Sequence, residues 1–255
     1  MSEHTASYYA ATANDDIRHP QLTEDINVDV CVIGGGFTGI SSALHLAERG
    51  YDVVLLEGER VGWGASGRNG GQICTAYNKS MNTIEKLVGK DGAQAMWDVE
   101  VDSKNMIRER VERHNIDCDL RWGYLHAAAK PSHMGWVNDT HEEWERYGYT
   151  DTAVYDKQRL EAHLQSKIYH GALWENNAGH LHPLNYALGL ARAAKEAGVR
   201  IFEDSRVLTL DKGPTVSVKT DKGSVRAKFL VAAGNAYLGN MIPKLYRRVI
   251  PVGSF

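Results

Sequence analysis

The sequence has only three cysteines in 255 residues, Cys31, Cys74 and Cys118, and no two of them share a CxxC spacing. That excludes a disulfide framework and a zinc knuckle, and reduced thiols are expected. Long hydrophobic runs are also missing. The longest, at 30–33, 53–56 and 229–233, fall far short of the roughly 20 residues a membrane-spanning helix needs, so no transmembrane segment is expected. No charge of one sign dominates: 29 basic against 32 acidic side chains leave a net charge of −3, which argues for neither a nucleic-acid partner nor an acidic tail. The polar start MSEHTASYYAATANDD lacks the basic region and apolar core of a secretion signal, and a cytoplasmic address is expected. There is no internal repeat and no low-complexity tract. What is present is an ordinary globular composition, 43% hydrophobic and 24% charged, at a length that suits one large domain or two ordinary ones.

Periodicity and glycine placement carry the organisation. Residues 1–28 read as an N-terminal arm. DVCVI at 29–33 reads as a buried strand, 37–49 as a helix with Ile40, Leu44 and Ala47 on one face, and YDVVLLE at 51–57 as a second buried strand. Gly50 stands where a helix end favours positive φ. Strand, turn, helix and strand in so short a span make a right-handed βαβ unit. A glycine-rich loop, GERVGWGASGRNGGQ, follows. Helical patterns are expected at 83–88, 91–114 and 131–146, with a strand-like stretch near 119–128, and these suggest an inserted second domain. A strand over 169–174 leads through GHLHP to a helix over 184–197, then strands at 199–202, 207–211, 216–220 and 225–233. The resulting fold class is α/β: a doubly wound, Rossmann-like domain built from 29–76 and 182–255, with a partial α+β substrate domain at 77–181.

GGGFTG supplies Gly34, Gly36 and Gly39 in the G-x-G-x-x-G spacing between the first strand and its helix. Gly34 permits the sharp turn, Gly36 leaves room for a pyrophosphate, and Gly39 lets the helix approach the sheet. The helix N-terminus offers free N–H groups to an anion. Glu57 ends the second strand at the spacing where a carboxylate receives ribose hydroxyls, and it would repel a 2′-phosphate. A strand-to-helix turn that binds nothing is the bland alternative. The loop that follows favours FAD over NAD, because it spends its length on glycines with Arg68 and Asn69 where an NAD domain would proceed to its next strand. Such a loop brings N–H groups and a guanidinium to a diphosphate.

DVCVIGGGFTGISSALHLAERGYDVVLLE followed by GWGASGRNGGQ resembles the D-amino-acid-oxidase-like superfamily of FAD-dependent amine oxidases, which includes glycine and sarcosine oxidases. EHTASYYAATAN, IRERVERHNIDCDL, GHLHPLNYALG and VAAGNAYLG narrow the likeness to the branch that oxidises gamma-glutamylputrescine in bacterial putrescine catabolism. The resemblance implies FAD contacts at Gly34, Gly36, Gly39 and Glu57, in the second loop at Ser66, Gly67, Arg68, Gly70 and Gly71, and later at Val207, Ala233 and Gly234. It implies an amine substrate and oxygen as reaction partners, with release of imine and peroxide. No side chain stands out as a catalytic base, and hydride transfer needs none. Binding of FAD without turnover and a glycine- or sarcosine-type oxidase are the alternatives. Members of this family continue beyond the point where this chain ends, so a C-terminal portion is expected to be missing past Phe255. Open sheet edges would then favour self-association.

Several residues have bland readings. His180 and His182 would share a face if both lay on a strand, yet nothing completes a metal site around them, and none is expected. Cys74 reads as a small packing residue and not a flavin anchor, Trp63 as packing, and HEEWER at 141–146 as a solvated helix face.

Overall fold

The computed structural model describes residues 2–75 and 77–252. In chain order its first half contains α1 (Tyr8–Ala11), β1 (Asp25–Ile33), α2 (Phe37–Ala47), β2 (Val53–Leu56), β3 (Gln72–Ile73), α3 (Met81–Arg113), β4 (Arg121–Ala127) and α4 (His133–Arg146). The second half contains β5 (Thr152–Asp156), α5 (Lys157–His163), β6 (Gly171–His180), α6 (Pro183–Glu196), β7 (Arg200–Phe202), β8 (Thr209–Asp211), β9 (Val216–Lys219), β10 (Ser224–Ala232) and α7 (Pro243–Tyr246). The chain divides into one compact unit of residues 2–70, 111–118 and 182–252 and another of 71–110 and 119–181.

The first unit carries a six-stranded sheet ordered β7-β2-β1-β10-β9-β8. Its four strands from β7 to β10 run parallel, and β9 and β8 are antiparallel additions. This is the expected α/β class with a parallel-rich sheet. β1 is buried along most of its length, with Val30, Cys31, Val32 and Ile33 all inside, as a central parallel strand must be. It begins at Asp25, so the arm ends earlier than residue 28. Ile26 and Val28 alternate with Asp25 and Asn27 and point into the core with Val54, Leu56, Val218 and Val225. α2 presents Ile40, Ala43 and Leu44 to the interior. Gly50 follows it at φ 87°, the left-handed conformation that glycine takes without strain. Residues 111–118 belong here and not with 77–181 because Ile116 packs against Gly189 of α6 and the Cys118 carbonyl accepts from His182 N–H at 2.7 Å. Ala76, the expected end of the first segment, and Phe255 lie outside the described residues.

The second unit is an antiparallel sheet with helices. β6 is its long central strand, with β4 along one edge and β3 and β5 sharing the other. α3 is broken at Gly89, φ 78°, which separates the two helical stretches expected at 83–88 and 91–114. β5 and α5 fall in a stretch for which the sequence offered no reading. HEEWER is a solvated face only in part, at Glu142, Glu145 and Arg146. Glu143 is buried and its carboxylate accepts from Met81 N–H at 3.1 Å and Asn82 N–H at 2.8 Å, capping α3, while Trp144 lies in the core beside Trp97 and Tyr149.

A charged knot is buried in the same unit. Lys104 and Glu175, 2% and 0% exposed, lie 3.4 Å apart (Nζ to Oε1). Tyr149 Oη accepts from Lys104 at 3.0 Å and donates to Glu175 Oε1 at 2.8 Å, Thr75 bonds both charged groups, and His126 Nε2 sits 3.1 Å from Glu175 Oε2. Burial opposes ionisation of Glu175, but the hydrogen bonds from His126 and Thr75 and the Lys104 charge outweigh it and hold the carboxyl below its ordinary range.

Candidate functional site

In an open parallel sheet a ligand crevice forms outside the carboxyl ends of the strands, where the strand order reverses. Here β1 is flanked by β2 on one side and by β10 on the other. At the carboxyl ends of these three strands lies a cavity of about 350 Å³, lined by Ile33 and Gly34 after β1, Leu56 and Glu57 after β2, and Ala233 and Gly234 after β10. The volume falls in the range of small-molecule sites.

The glycines of the turn do separate jobs. Gly34 has φ 108°, and a Cβ there would stand 2.7 Å from the Ala233 carbonyl oxygen. Only glycine allows β1 to turn against the end of β10. A Cβ on Gly39 would stand 1.8 Å from the Gly34 carbonyl oxygen, so this glycine seats α2 on the turn and does not line the cavity. Gly36, the residue before α2, does line it. Its ordinary φ of −88° needs no glycine, but a Cβ would come 2.8 Å from Ser66 Oγ. Ser66 Oγ accepts from Phe37 N–H at 2.9 Å, so the first exposed donor of α2 faces a hydroxyl at the cavity wall. Helix N-termini favour an acceptor or an anion at this place.

Glu57 is fixed by two backbone donors, Gly35 N–H to Oε2 at 2.6 Å and Glu59 N–H to Oε1 at 2.9 Å. Burial nonetheless pushes its carboxyl above the ordinary range, with those hydrogen bonds acting against the shift. Val207, Ala233, Gly234 and Ser66 also line the cavity. Arg68, Gly67, Gly70 and Gly71 do not. Arg68 Nε donates to the Trp63 carbonyl at 2.7 Å, and its guanidinium lies 4.3 Å from the Trp63 ring centre, so it is committed to the loop's own packing and does not face the cavity as expected. Gly67 packs on the Gly62 carbonyl, and the Gly71 carbonyl accepts from Leu181 N–H.

Glu59, Arg206, Leu208 and Tyr237 also line the cavity, and no sequence motif marks them. Arg206 pairs with Glu59 at 2.5 Å. Trp63, read as packing, is also part of the wall and meets Tyr237 edge to face, ring centres 5.7 Å apart. These residues come from loops after β2, β7 and β10 whose spacing matches no motif. His182, by contrast, does not share a strand face with His180. It caps α6, Nδ1 accepting from Asn185 N–H at 3.1 Å, and its Nε2 meets Thr12 Oγ1 at 3.0 Å. Cys74 is exposed and free. No helix among the described residues is long and apolar enough to cross a membrane.

A cavity at a parallel-strand switch point, with a glycine turn at a helix N-terminus and a carboxylate at the end of the neighbouring strand, fits the adenosine diphosphate part of a dinucleotide. Residues 29–255 match the family described as FAD dependent oxidoreductase (DAO). The chain is 45% identical over 255 residues to gamma-glutamylputrescine oxidoreductase of Escherichia coli (strain K12), covering 100% of this chain and 60% of that protein. It is 42% identical over 260 residues to "Probable oxidoreductase OrdL" of Haemophilus influenzae, covering 99% and 60%. Among solved structures, glycine oxidase from Geobacillus kaustophilus superposes with a TM-score of 0.69 at 20% identity, over 83% of this chain and 56% of that one. An L-amino acid deaminase from Proteus vulgaris does so with 0.75 at 21%, over 90% and 58%. At these identities the two structures speak for the fold alone. The chain thus spans about 60% of the length of the curated relatives it matches.

Proposed function

The chain belongs to the DAO family of FAD-dependent oxidoreductases, and from that premise we propose that it forms the FAD-binding part of an amine oxidase acting on gamma-glutamylputrescine. The observation that carries this reading is the cavity at the ends of β1, β2 and β10, taken with the likeness to gamma-glutamylputrescine oxidoreductase along the whole chain. Glu57 accepts the ribose hydroxyls, the N–H groups at the start of α2 receive the pyrophosphate beside Ser66, and Gly36 leaves the room it needs. Val207 and the Ala233–Gly234 turn bound the cofactor's path by backbone. Arg68 supports the wall by holding Trp63 in place. FAD, when bound, supplies the chemistry of hydride acceptance from the carbon that bears the amine nitrogen. The protein's own task is to fix and shield that cofactor. A long amide-bearing substrate gains remote contacts that glycine cannot, and such contacts are what raise kcat/KM for one amine over another.

The test is a side-by-side assay of gamma-glutamylputrescine, glycine and sarcosine, read as peroxide release in air and as bleaching of the flavin band under nitrogen. Preference for gamma-glutamylputrescine is expected. Preference for sarcosine would move the protein to another branch of the family, and bleaching without peroxide would make it a dehydrogenase. Self-association belongs to the same proposal. Phe229 on β10 is 60% exposed, and β7 and β8 end the sheet, so a mass above that of a monomer is expected by light scattering. A monodisperse monomer would refute it.

A further inference from the structure

The segment before β1 is tied to both loops that wall the cavity. Ser2 donates to Asp204 Oδ1 through its backbone N–H at 2.9 Å and its hydroxyl at 2.6 Å. The Glu3 carbonyl accepts from Trp63 Nε1 at 3.1 Å. Arg60, only 4% exposed, places Nη1 2.8 Å from Asp16 Oδ1 and 3.8 Å from Glu3 Oε2, and Nη2 donates to the Ile17 carbonyl at 3.3 Å. The buried Glu203 carboxylate joins the two sides, accepting from Val61 N–H at 2.7 Å and from His19 N–H at 3.0 Å.

These anchors frame the cavity. Trp63 lines the cavity itself, Arg60 and Val61 lie in the same loop between the lining residues 57–59 and 63–66, and Glu203 and Asp204 precede Arg206, Val207 and Leu208 with only Ser205 between. The two loops are also joined directly, by Asp204 N–H to the Glu59 carbonyl and Ser205 N–H to the Glu57 carbonyl. We propose that residues 2–19 are a strap of positioning residues for the cofactor: they hold the two adenosine-side walls at their spacing, so FAD affinity depends on contacts that never meet FAD. This rests on reading the cavity as the FAD site. Arg60 is the fulcrum. A buried guanidinium is tolerated only when its charge is matched, and the strap matches it with two carboxylates and a carbonyl.

Coupling of this kind is reciprocal, because the strap can favour FAD only as much as FAD favours the strap. The chain is compared with two variants, one lacking residues 2–6 and one carrying Glu3→Ala, both of which leave Asp16 on Arg60. FAD and ADP affinities are read by titration, thermal stability is read without nucleotide, and trypsin cleavage after Arg18 is followed with and without FAD, ADP or riboflavin. The expected result is a 5- to 30-fold weaker affinity for both FAD and ADP in the shortened variant, within the usual range of allosteric coupling. A smaller loss is expected for Glu3→Ala, whose melting temperature stays close to the parent's because the Glu3 side chain is 69% exposed. Cleavage of the parent after Arg18 should slow about fivefold or more with saturating FAD or ADP and not with riboflavin. Unchanged affinities in a parent that binds FAD would overturn the strap alone, as would cleavage indifferent to nucleotide. A parent that binds neither FAD nor ADP would overturn the site and the strap together. The protease arm needs no variant and holds even if the shortened chain fails to fold.

Discussion

Gly36 and Gly39 sit three residues apart in one motif, yet the structure gives them opposite sensitivities, and paired alanine substitutions separate them. At Gly36 the backbone is in an ordinary region, and the added Cβ meets only the end of the short, rotatable Ser66 side chain at 2.8 Å. Turning that hydroxyl away loses its bond to Phe37 N–H, worth about 0.5–1.5 kcal/mol net. Stiffening the unfolded chain returns about 0.4–1 kcal/mol. Gly36→Ala should therefore melt within a few degrees of the parent. Its methyl nevertheless occupies cavity wall where a pyrophosphate would meet the helix N-terminus. Loss of one or two charge-assisted hydrogen bonds at about 1.5–3 kcal/mol each weakens FAD binding by about 10-fold or more. Gly39→Ala puts carbon 1.8 Å from the Gly34 carbonyl oxygen, far inside the about 3.5 Å at which heavy atoms rest. Neither the oxygen nor the helix backbone can rotate away, so α2 must lift. Overpacking of this kind costs about 1–3 kcal/mol or more in stability. Thermal melts without cofactor and flavin-fluorescence titrations read the two effects. A Gly36→Ala protein with parental FAD affinity, or a Gly39→Ala protein with parental melting temperature, would refute the division of labour.

Glu57→Gln should weaken FAD binding by about 1–3 kcal/mol, measured by titration, since one carboxylate acceptor is replaced by a donor. Because burial raises the Glu57 pKa, the parent's affinity should fall as pH drops through that raised value while the variant's stays flat. For folding alone the sign is opposite: the raised carboxyl contributes stability that is present at low pH and lost as pH rises through its folded value. Lys104→Met should cost about 3–5 kcal/mol by leaving Glu175 a buried, unmatched charge, and Lys104→Met with Glu175→Gln should recover most of it in denaturant melts. With its pKa lowered, Glu175 contributes stability above its unfolded pKa that is lost as pH falls through the folded value. Additive losses in the double variant would show that the two groups are not coupled.

The β1–α2–β2 unit is legible in the sequence because everything that makes it is local: two apolar runs, an amphipathic helix and a glycine spacing within 33 residues, 25–57. Its true start was harder to see, because DINV alternates polar and apolar residues ahead of the continuous run and so reads as arm. β5 leaves little trace, as its short run owes its form to pairing with β6. Lys104 and Glu175 look like ordinary surface charges in a sequence, since their burial follows from contacts 71 residues apart. Arg68 reads as a phosphate ligand by type, and its commitment to the Trp63 carbonyl is a matter of loop geometry alone. The strap is the extreme case: Ser2 and Asp204 are separated by 202 residues, and nothing in either neighbourhood announces the other.

β1 has one parallel neighbour made early and one made late. β2 follows it after a single helix, but β10, which pairs with it from Asp25↔Ser224 to Ile33↔Ala232, leaves the ribosome almost two hundred residues later, as the Ser224 to Asp25 bond across 199 positions measures. At about 5–20 residues per second, one side of the central strand waits unpaired for roughly 10–40 seconds of synthesis. For that interval the nascent chain carries an apolar strand with an open row of N–H and C=O groups, a template for any passing β-segment. Synthesis rate and chaperone supply therefore bear on the yield of this protein through a single strand order, independently of how stable the finished sheet is.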